Sequence, residues 1–172
     1  MNIREAQAPI NGAVDSGQLV LVTLDRLRLP KESNILIGSG NLALRGLITR
    51  PVGDADLLTD YETVQEIANM PGGFIDEYYD ESDGAESITA HLHSPDLPLP
   101  VSATVSLGRP HYPLDFYELQ YTGLIEGVWG IQCLTLDEVI ISKAALGRPK
   151  DIEDLDVVSQ SLAKIAATLE LA

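Results

Sequence analysis

The chain predicts a single α/β (or α+β) domain spanning residues 1–172, on three observations. Its 172 residues suit one compact domain. Apolar residues make up 45 % of them, enough for a core and too many for general disorder. Short β-like runs alternate with segments of helical period, with no internal repeat and no shift in composition that would mark a boundary.

Taken in order, residues 16–29 (SGQLVLVTLDRLRL) predict a helix with Leu19, Val22, Leu27 and Leu29 on its apolar stripe, stopped by Pro30. Asn34 to Ile37 (NILI) is a short apolar run ended by Gly-Ser-Gly, as for a buried strand entering a tight turn. Leu42 to Leu47 is then helical. Asp54 to Leu58 (DADLL) alternates acid with apolar and reads as a second strand. Thr59 or Asp60 is placed to cap a helix through about Ala68.

Met70 to Gly73 (MPGG) is punctuation, and Asp76 to Glu86, with six acids and no base, predicts an exposed loop. Ile88 to Leu92, Val101 to Leu107 and Leu114 to Leu119 read as strands of a meander, and Ile131 to Leu134 as one more. Leu136 to Ala145 and Ile152 to Leu171 are helical, with Gly147-Arg148-Pro149 as the break between them.

The formal charge of −15 repels polyanions, so no non-specific nucleic-acid binding is expected. Its distribution is uneven. No Lys or Arg occurs from Pro51 to Gly108, whereas cations cluster in Arg26–Arg50 and Lys143–Lys150. Should those stretches meet in space, they form a local cationic patch suited to a small polyphosphate. No apolar run reaches the roughly 20 residues of a membrane helix, so no membrane partner is expected. The N-terminus lacks a secretory pattern and Cys133 has no disulfide partner, which together predict a cytoplasmic protein.

Chemistry concentrates in Ile37 to Leu58 (IGSGNLALRGLITRPVGDADLL). On a strand, Asp54 and Asp56 point to the same side, about 7 Å apart. Such a pair suits Mg²⁺ (or Mn²⁺), which takes oxygen ligands. The Gly38-Ser39-Gly40 turn offers backbone N–H groups at a helix start, where phosphates bind. A phosphate cradle beside metal carboxylates is the equipment of phosphoryl or nucleotidyl transfer.

This arrangement resembles the DNA-polymerase-β-like nucleotidyltransferase superfamily, in which a Gly-Gly or Gly-Ser turn precedes an Asp-x-Asp strand. It is more similar to the small bacterial branch of AbiEii-type toxins and related nucleotidyltransferase-like proteins. That branch shows a Gly pair, an Ala-Leu-rich helix and Arg-Pro-Thr-x-Asp-x-Asp. Here stand Ser39-Gly40, Leu42 to Leu47 and Arg50-Pro51-Val52-Gly53-Asp54-Ala55-Asp56. A second match is C-terminal, where Leu136 to Lys143 followed by Gly147-Arg148-Pro149-Lys150-Asp151-Ile152-Glu153-Asp154-Leu155 resembles the branch's closing helix pair.

The resemblance implies a minimal nucleotidyltransferase fold: a short mixed β-sheet flanked by helices, with a C-terminal helix pair. It implies Asp54 and Asp56 on the metal and Gly38, Ser39 and Gly40 against the NTP triphosphate. Lys143 and Asp151 would approach from the C-terminal helices, and Lys143 or Arg50 would offset phosphate charge. Active members add a third carboxylate from a later strand, and Asp115, between Leu114 and Phe116, is assigned to it. Should Val101 to Val105 (VSATV) occupy that strand instead, it brings no acid.

The implied reaction moves a nucleoside monophosphate from an NTP to an RNA, protein or small-molecule acceptor. A toxin–antitoxin role would bring a cognate antitoxin as partner; a homo-oligomer is the other protein partner considered. The alternative is a catalytically inactive relative that keeps the fold for interaction or regulation. The acids of 76–86 would also suit a cationic small-molecule acceptor. His91 and His93 are expected as strand histidines and not zinc ligands, since only His111 and Cys133 remain to help. Cys133, within an apolar run, is expected to be a buried inert thiol.

Overall fold

The computed structural model describes residues 15–82, 84–107 and 115–171. Helix α1 (Ser16–Leu27) opens on Asp15, whose carboxylate accepts from the Gly17 N–H, and ends at Arg28 in the left-handed region. A single 3₁₀ turn leads into strand β1 (Asn34–Ile37), which is buried throughout. Helix α2 (Gly38–Leu44) begins at once, so the expected turn and the helix after it are one element. Strand β2 (Ala55–Thr59) returns antiparallel to β1. Of the two expected caps, Asp60 and not Thr59 caps helix α3 (Tyr61–Ala68), accepting from the Thr63 N–H.

Next come strands β3 (Gly73–Asp80), β4 (Ala85–Leu92) and β5 (Val101–Ser106). They are followed by a short helix α4 (Phe116–Leu119) and strands β6 (Ile125–Val128) and β7 (Ile131–Leu134). Helices α5 (Leu136–Leu146) and α6 (Pro149–Glu170) close the chain. Gly147 ends α5 in the left-handed region at φ 58°, and Pro149 opens α6 at a position where its missing N–H costs nothing.

Among the described residues the strands form one seven-stranded mixed sheet, in the order β3-β4-β5-β2-β1-β7-β6. Strand β2 runs parallel to β5 and β1 parallel to β7; the other pairs are antiparallel. The fully buried β1 carries Ile35 and Leu36, central-strand composition as apolar as its place requires. Helix α3 packs on β3, β4 and β5, α2 on β1, β2 and α1, and α5 against α2 and α6. Buried Asn41 locks this arrangement: its amide donates to Leu36 O at 2.9 Å and Leu134 O at 2.8 Å, joining α2 to β1 and β7.

Two expectations are corrected and one strand is added. Residues 76–86 are not a loop but most of the β3–β4 hairpin, because β3 is an edge strand whose acids stay in water while Phe74, Ile75, Tyr78 and Tyr79 supply β propensity. The stretch 115–119 is a helical turn and not a strand, since the Asp115 carboxylate accepts from the Glu118 N–H and starts a helix; Leu114 lies outside the described residues. Strand β6 is an addition, joined to β7 by Trp129 and Gly130 at φ 53° and 77°. That geometry is usually announced by Asn-Gly or Asp-Gly, and Trp-Gly hides it. No described helix is long and apolar enough to cross a membrane.

Candidate functional site

The end of β1, the start of α2, the edge of β2 and helices α5 and α6 enclose one cleft. Its lining includes Gly38, Ser39, Arg50, Asp54, Asp56, Lys143 and Asp151. These are all but two of the residues singled out in the sequence. Gly40 is buried behind the cleft, where an added Cβ would stand 3.4 Å from Leu36 Cδ1 and 3.7 Å from Val20 Cγ2. Asp115 is not part of the lining; its carboxylate caps α4.

Asp54 and Asp56 flank Ala55 at the entry of β2, both half-buried. Burial, reinforced by the negative charge of Asp54, pushes the Asp56 carboxyl up to about 7; Lys150 and Arg148 pull the other way. Gly38 belongs here for two reasons. Its φ of +65° is open to glycine, and a Cβ would come within 3.2 Å of Asp56 Oδ2. The turn therefore lies directly against the acid pair. Two oxygen-rich side chains repelling each other in a cleft fit a divalent cation that keeps waters and completes its shell with phosphate oxygens.

The register decides what stands beside that pair. Strand β5 lies parallel to β2 with Ser102 opposite Asp56, so the neighbouring strand brings a hydroxyl where a third acid was sought. Ser102 Oγ is 3.5 Å from Asp54 Oδ2. No group of three or more His, Cys, Asp or Glu positioned for a metal occurs among the described residues.

Opposite the acids lies an ionic network. The Lys143 ammonium, almost wholly buried, stands 2.8 Å from Asp154 Oδ2 and 3.0 Å from Asp151 Oδ1. Arg50 binds Asp154 through two nitrogens, each at 2.7 Å, and Arg148 binds Asp151 at 2.6 Å. Ser39 Oγ sits at the centre, donating to Asp154 at 2.9 Å and accepting from Lys143 and Arg50 at 3.0 Å each. Burial alone would raise both acids; hydrogen bonds from Arg148 and Lys143 outweigh it and hold Asp151 at about 2. Arg50, Lys143 and Ser39 likewise lower Asp154. The Arg50 guanidinium is raised in turn, chiefly by its hydrogen bonds to Asp154.

The two cationic stretches do meet here, through Arg50, Lys143, Arg148 and Lys150. Arg26 and Arg45 are engaged elsewhere, Arg26 with the Asp96 carbonyl and Arg45 with Glu126 and Asn41. Sequence reasoning missed Asp154 and Ser102. Asp154 follows Asp151 by three residues on α6, hence on the same face, and that spacing was the available signal. Ser102 lies in Val101 to Val105, the acid-free run named as the alternative occupant of the third-carboxylate strand and the one that stands there; its own contact with Asp54 comes from the strand pairing.

The fold that carries this cleft is found in known structures. Over 86 % of this chain and 92 % of the other, the fold superposes on the crystal structure of a provisionally assigned nucleotidyltransferase, TM1012 from Thermotoga maritima, with a TM-score of 0.53 at 20 % identity. The chain has a nucleotidyltransferase fold. Weaker overlap occurs with JHP933 from Helicobacter pylori, at a TM-score of 0.47 and 15 % identity over 87 % of this chain and 67 % of that one. No family model and no curated protein sequence matches the chain. Within the nucleotidyltransferase fold, the cleft lies at the turn-and-acid edge that the sequence pointed to. Cys133 is buried in β7, and burial pushes its thiol up to about 12, in keeping with an inert role. His91 and His93 both stack on Phe74; His111 is outside the described residues.

Proposed function

We propose that the chain is a Mg²⁺- (or Mn²⁺-) dependent nucleotidyltransferase that moves a nucleoside monophosphate from an NTP to an acceptor. The observation that carries this is the Asp54–Asp56 pair packed against the Gly38 turn, facing four cationic side chains across one cleft. In this reading Asp54 and Asp56 hold the cation, which would neutralise phosphate charge and favour departure of pyrophosphate. The first-turn N–H groups of α2 lack intrahelical acceptors, and Ile37 gives them no side-chain cap, so phosphate oxygens are natural partners. Lys150 and Arg148 offset charge at the cleft mouth. Lys143 and Arg50 act through Asp154 and Asp151, holding Ser39 and the helix pair in place.

The acceptor is an RNA, a protein or a small molecule. Net charge favours the last two, since a long polyanion meets a surface of formal charge −15. The AbiEii-like motifs support a toxin–antitoxin role with a cognate antitoxin, and the expected setting is the cytoplasm.

A second reading is favoured by a specific observation: the strand beside β2 offers Ser102 and no acid. On that reading the chain keeps the fold for interaction or regulation without transfer. Calorimetric titration of each NTP with Mg²⁺ into wild type and Asp54→Asn/Asp56→Asn separates them. Micromolar-to-millimolar binding lost in the double variant supports the nucleotide site; no binding of any NTP by wild type removes it.

A further inference from the structure

The polar row that leads away from the carboxylates continues past Ser102 to residues that the reading above does not use, His91, Phe74 and Asp76. Strand register sets Asp56, Ser102, His91 and Phe74 side by side across β2, β5, β4 and β3. Their alternation places them on the sheet face opposite the buried Val101, Ala103 and Val105. Ser102 Oγ lies 3.2 Å from His91 Nδ1, closer than its 3.5 Å approach to Asp54 Oδ2. On the far side of the imidazole, Nε2 is 3.5 Å from Asp76 Oδ2. Phe74 stacks on the ring with centroids 5.1 Å apart and limits its rotation.

These contacts define roles. Asp76 beside Nε2 favours the tautomer protonated there, so that Nδ1 accepts the Ser102 proton at 3.2 Å in place of the longer 3.5 Å donation from Ser102 Oγ to Asp54 Oδ2. A hydroxyl, a base within hydrogen-bond reach and a carboxylate orienting that base are the parts of an activated serine nucleophile. Asp76 is 76 % exposed, so its pull is modest and the Phe74 stack shares the task of orientation. What distinguishes this serine from a surface hydroxyl is its place, opposite Asp56 in the strand register and 3.5 Å from Asp54, the pair that would hold the cation.

We propose that Ser102 is itself an acceptor, so that the chain nucleotidylates its own Ser102 with His91 as general base. This rests on the nucleotide-site reading of Asp54 and Asp56. In the step, Ser102 Oγ forms a bond to the α-phosphorus of an NTP. The bond from that phosphorus to the oxygen bridging to the β-phosphate breaks, and pyrophosphate leaves with the electron pair. The serine proton passes to His91 Nδ1, and Asp76 faces the resulting imidazolium. The product is a phosphodiester between Ser102 and a nucleoside monophosphate.

The test is incubation of the protein with Mg²⁺ and each NTP in turn, read by intact mass and peptide mapping. The expected result is a gain of one nucleoside monophosphate on Ser102, approaching about one per chain for at least one NTP. Ser102→Ala abolishes it, His91→Ala slows it roughly a hundredfold or more, and Thr104→Ala, a neighbouring hydroxyl on the same strand, labels as wild type. Thermal melts confirm that the variants fold, and the wild-type peptide map decides the site even if one does not. No adduct on wild type, an adduct at another residue, or wild-type labelling in folded His91→Ala overturns the proposal. NTP binding in the same preparation tells the failures apart: binding without adduct overturns self-modification alone, and neither binding nor adduct removes the nucleotide site as well.

Discussion

Lys143 Nζ lies 2.8 Å from Asp154 Oδ2, an ion pair with both side chains almost wholly buried. Ser39 touches both partners, so one contact joins α5, α6 and the Gly38-Ser39-Gly40 turn. Burial makes this costly to break, because removing one ion strands the charge of the other. Lys143→Ala is expected to lower unfolding free energy by about 3 kcal/mol, read from urea denaturation. Lys143→Arg, which keeps the charge in a different shape, should lose less. A loss below about 0.5 kcal/mol in Lys143→Ala would show that Arg50 and Arg148 suffice for both acids.

Acid should expose the same network. Asp151 is held at about 2, below an unfolded value near 3.8. A depressed carboxyl contributes stability that is present above the unfolded value and is lost as pH falls through the folded one. Wild type should therefore weaken progressively from about pH 4 to pH 2, with Asp154 adding in the same direction. Urea midpoints against pH should fall less steeply over that window in Asp151→Asn, which starts from a lower plateau. Parallel curves would place the acid sensitivity elsewhere.

Asp56 has the opposite sign. Its carboxyl, pushed up to about 7, favours the protonated folded state, so metal-free stability declines as pH rises from about 4 to 7. A divalent cation competes with that proton. Mg²⁺ or Mn²⁺ affinity should rise as pH increases, by up to about tenfold per unit below 7. Asp56→Asn should abolish cation binding while stabilising the protein at pH 8 by on the order of 1 kcal/mol. Calorimetry and thermal melts at pH 6 and 8 check both, and a less stable Asp56→Asn at pH 8 would contradict the raised value.

Gly38 links backbone and acid. Gly38→Ala places a Cβ 3.2 Å from Asp56 Oδ2 in a left-handed conformation, at a cost of about 1–2 kcal/mol. Cation binding should weaken more than the loss of stability explains, because the methyl displaces the Asp56 carboxylate. Gly53→Ala is the control: an added Cβ there meets nothing within 4 Å. Equal cation affinity in Gly38→Ala and Gly53→Ala would dissociate the turn from the site.

Local pattern determined a good deal. Apolar runs, period and punctuation in NILI, DADLL, IQCL and the two C-terminal helices located β1, β2, β7, α5 and α6, since each carries its pattern within the segment and its stops beside it. The Gly-Ser-Gly turn and Asp-x-Asp spacing located the cleft, because a glycine turn at a helix start and same-side carboxylates are short-range features. What lay beyond local pattern depends on partners remote in sequence. Edge position made a hairpin of an acidic stretch, and a helix cap diverted Asp115 from the sheet. The parallel pairing of β2 with β5 set Ser102, 46 to 48 residues away, beside the acids. Likewise, Arg50 and Lys143 carried no mark that their charges would be met by Asp154 and Asp151. Only packing decides whether a cation faces solvent, ligand or a buried acid, because that depends on which helix face turns inward.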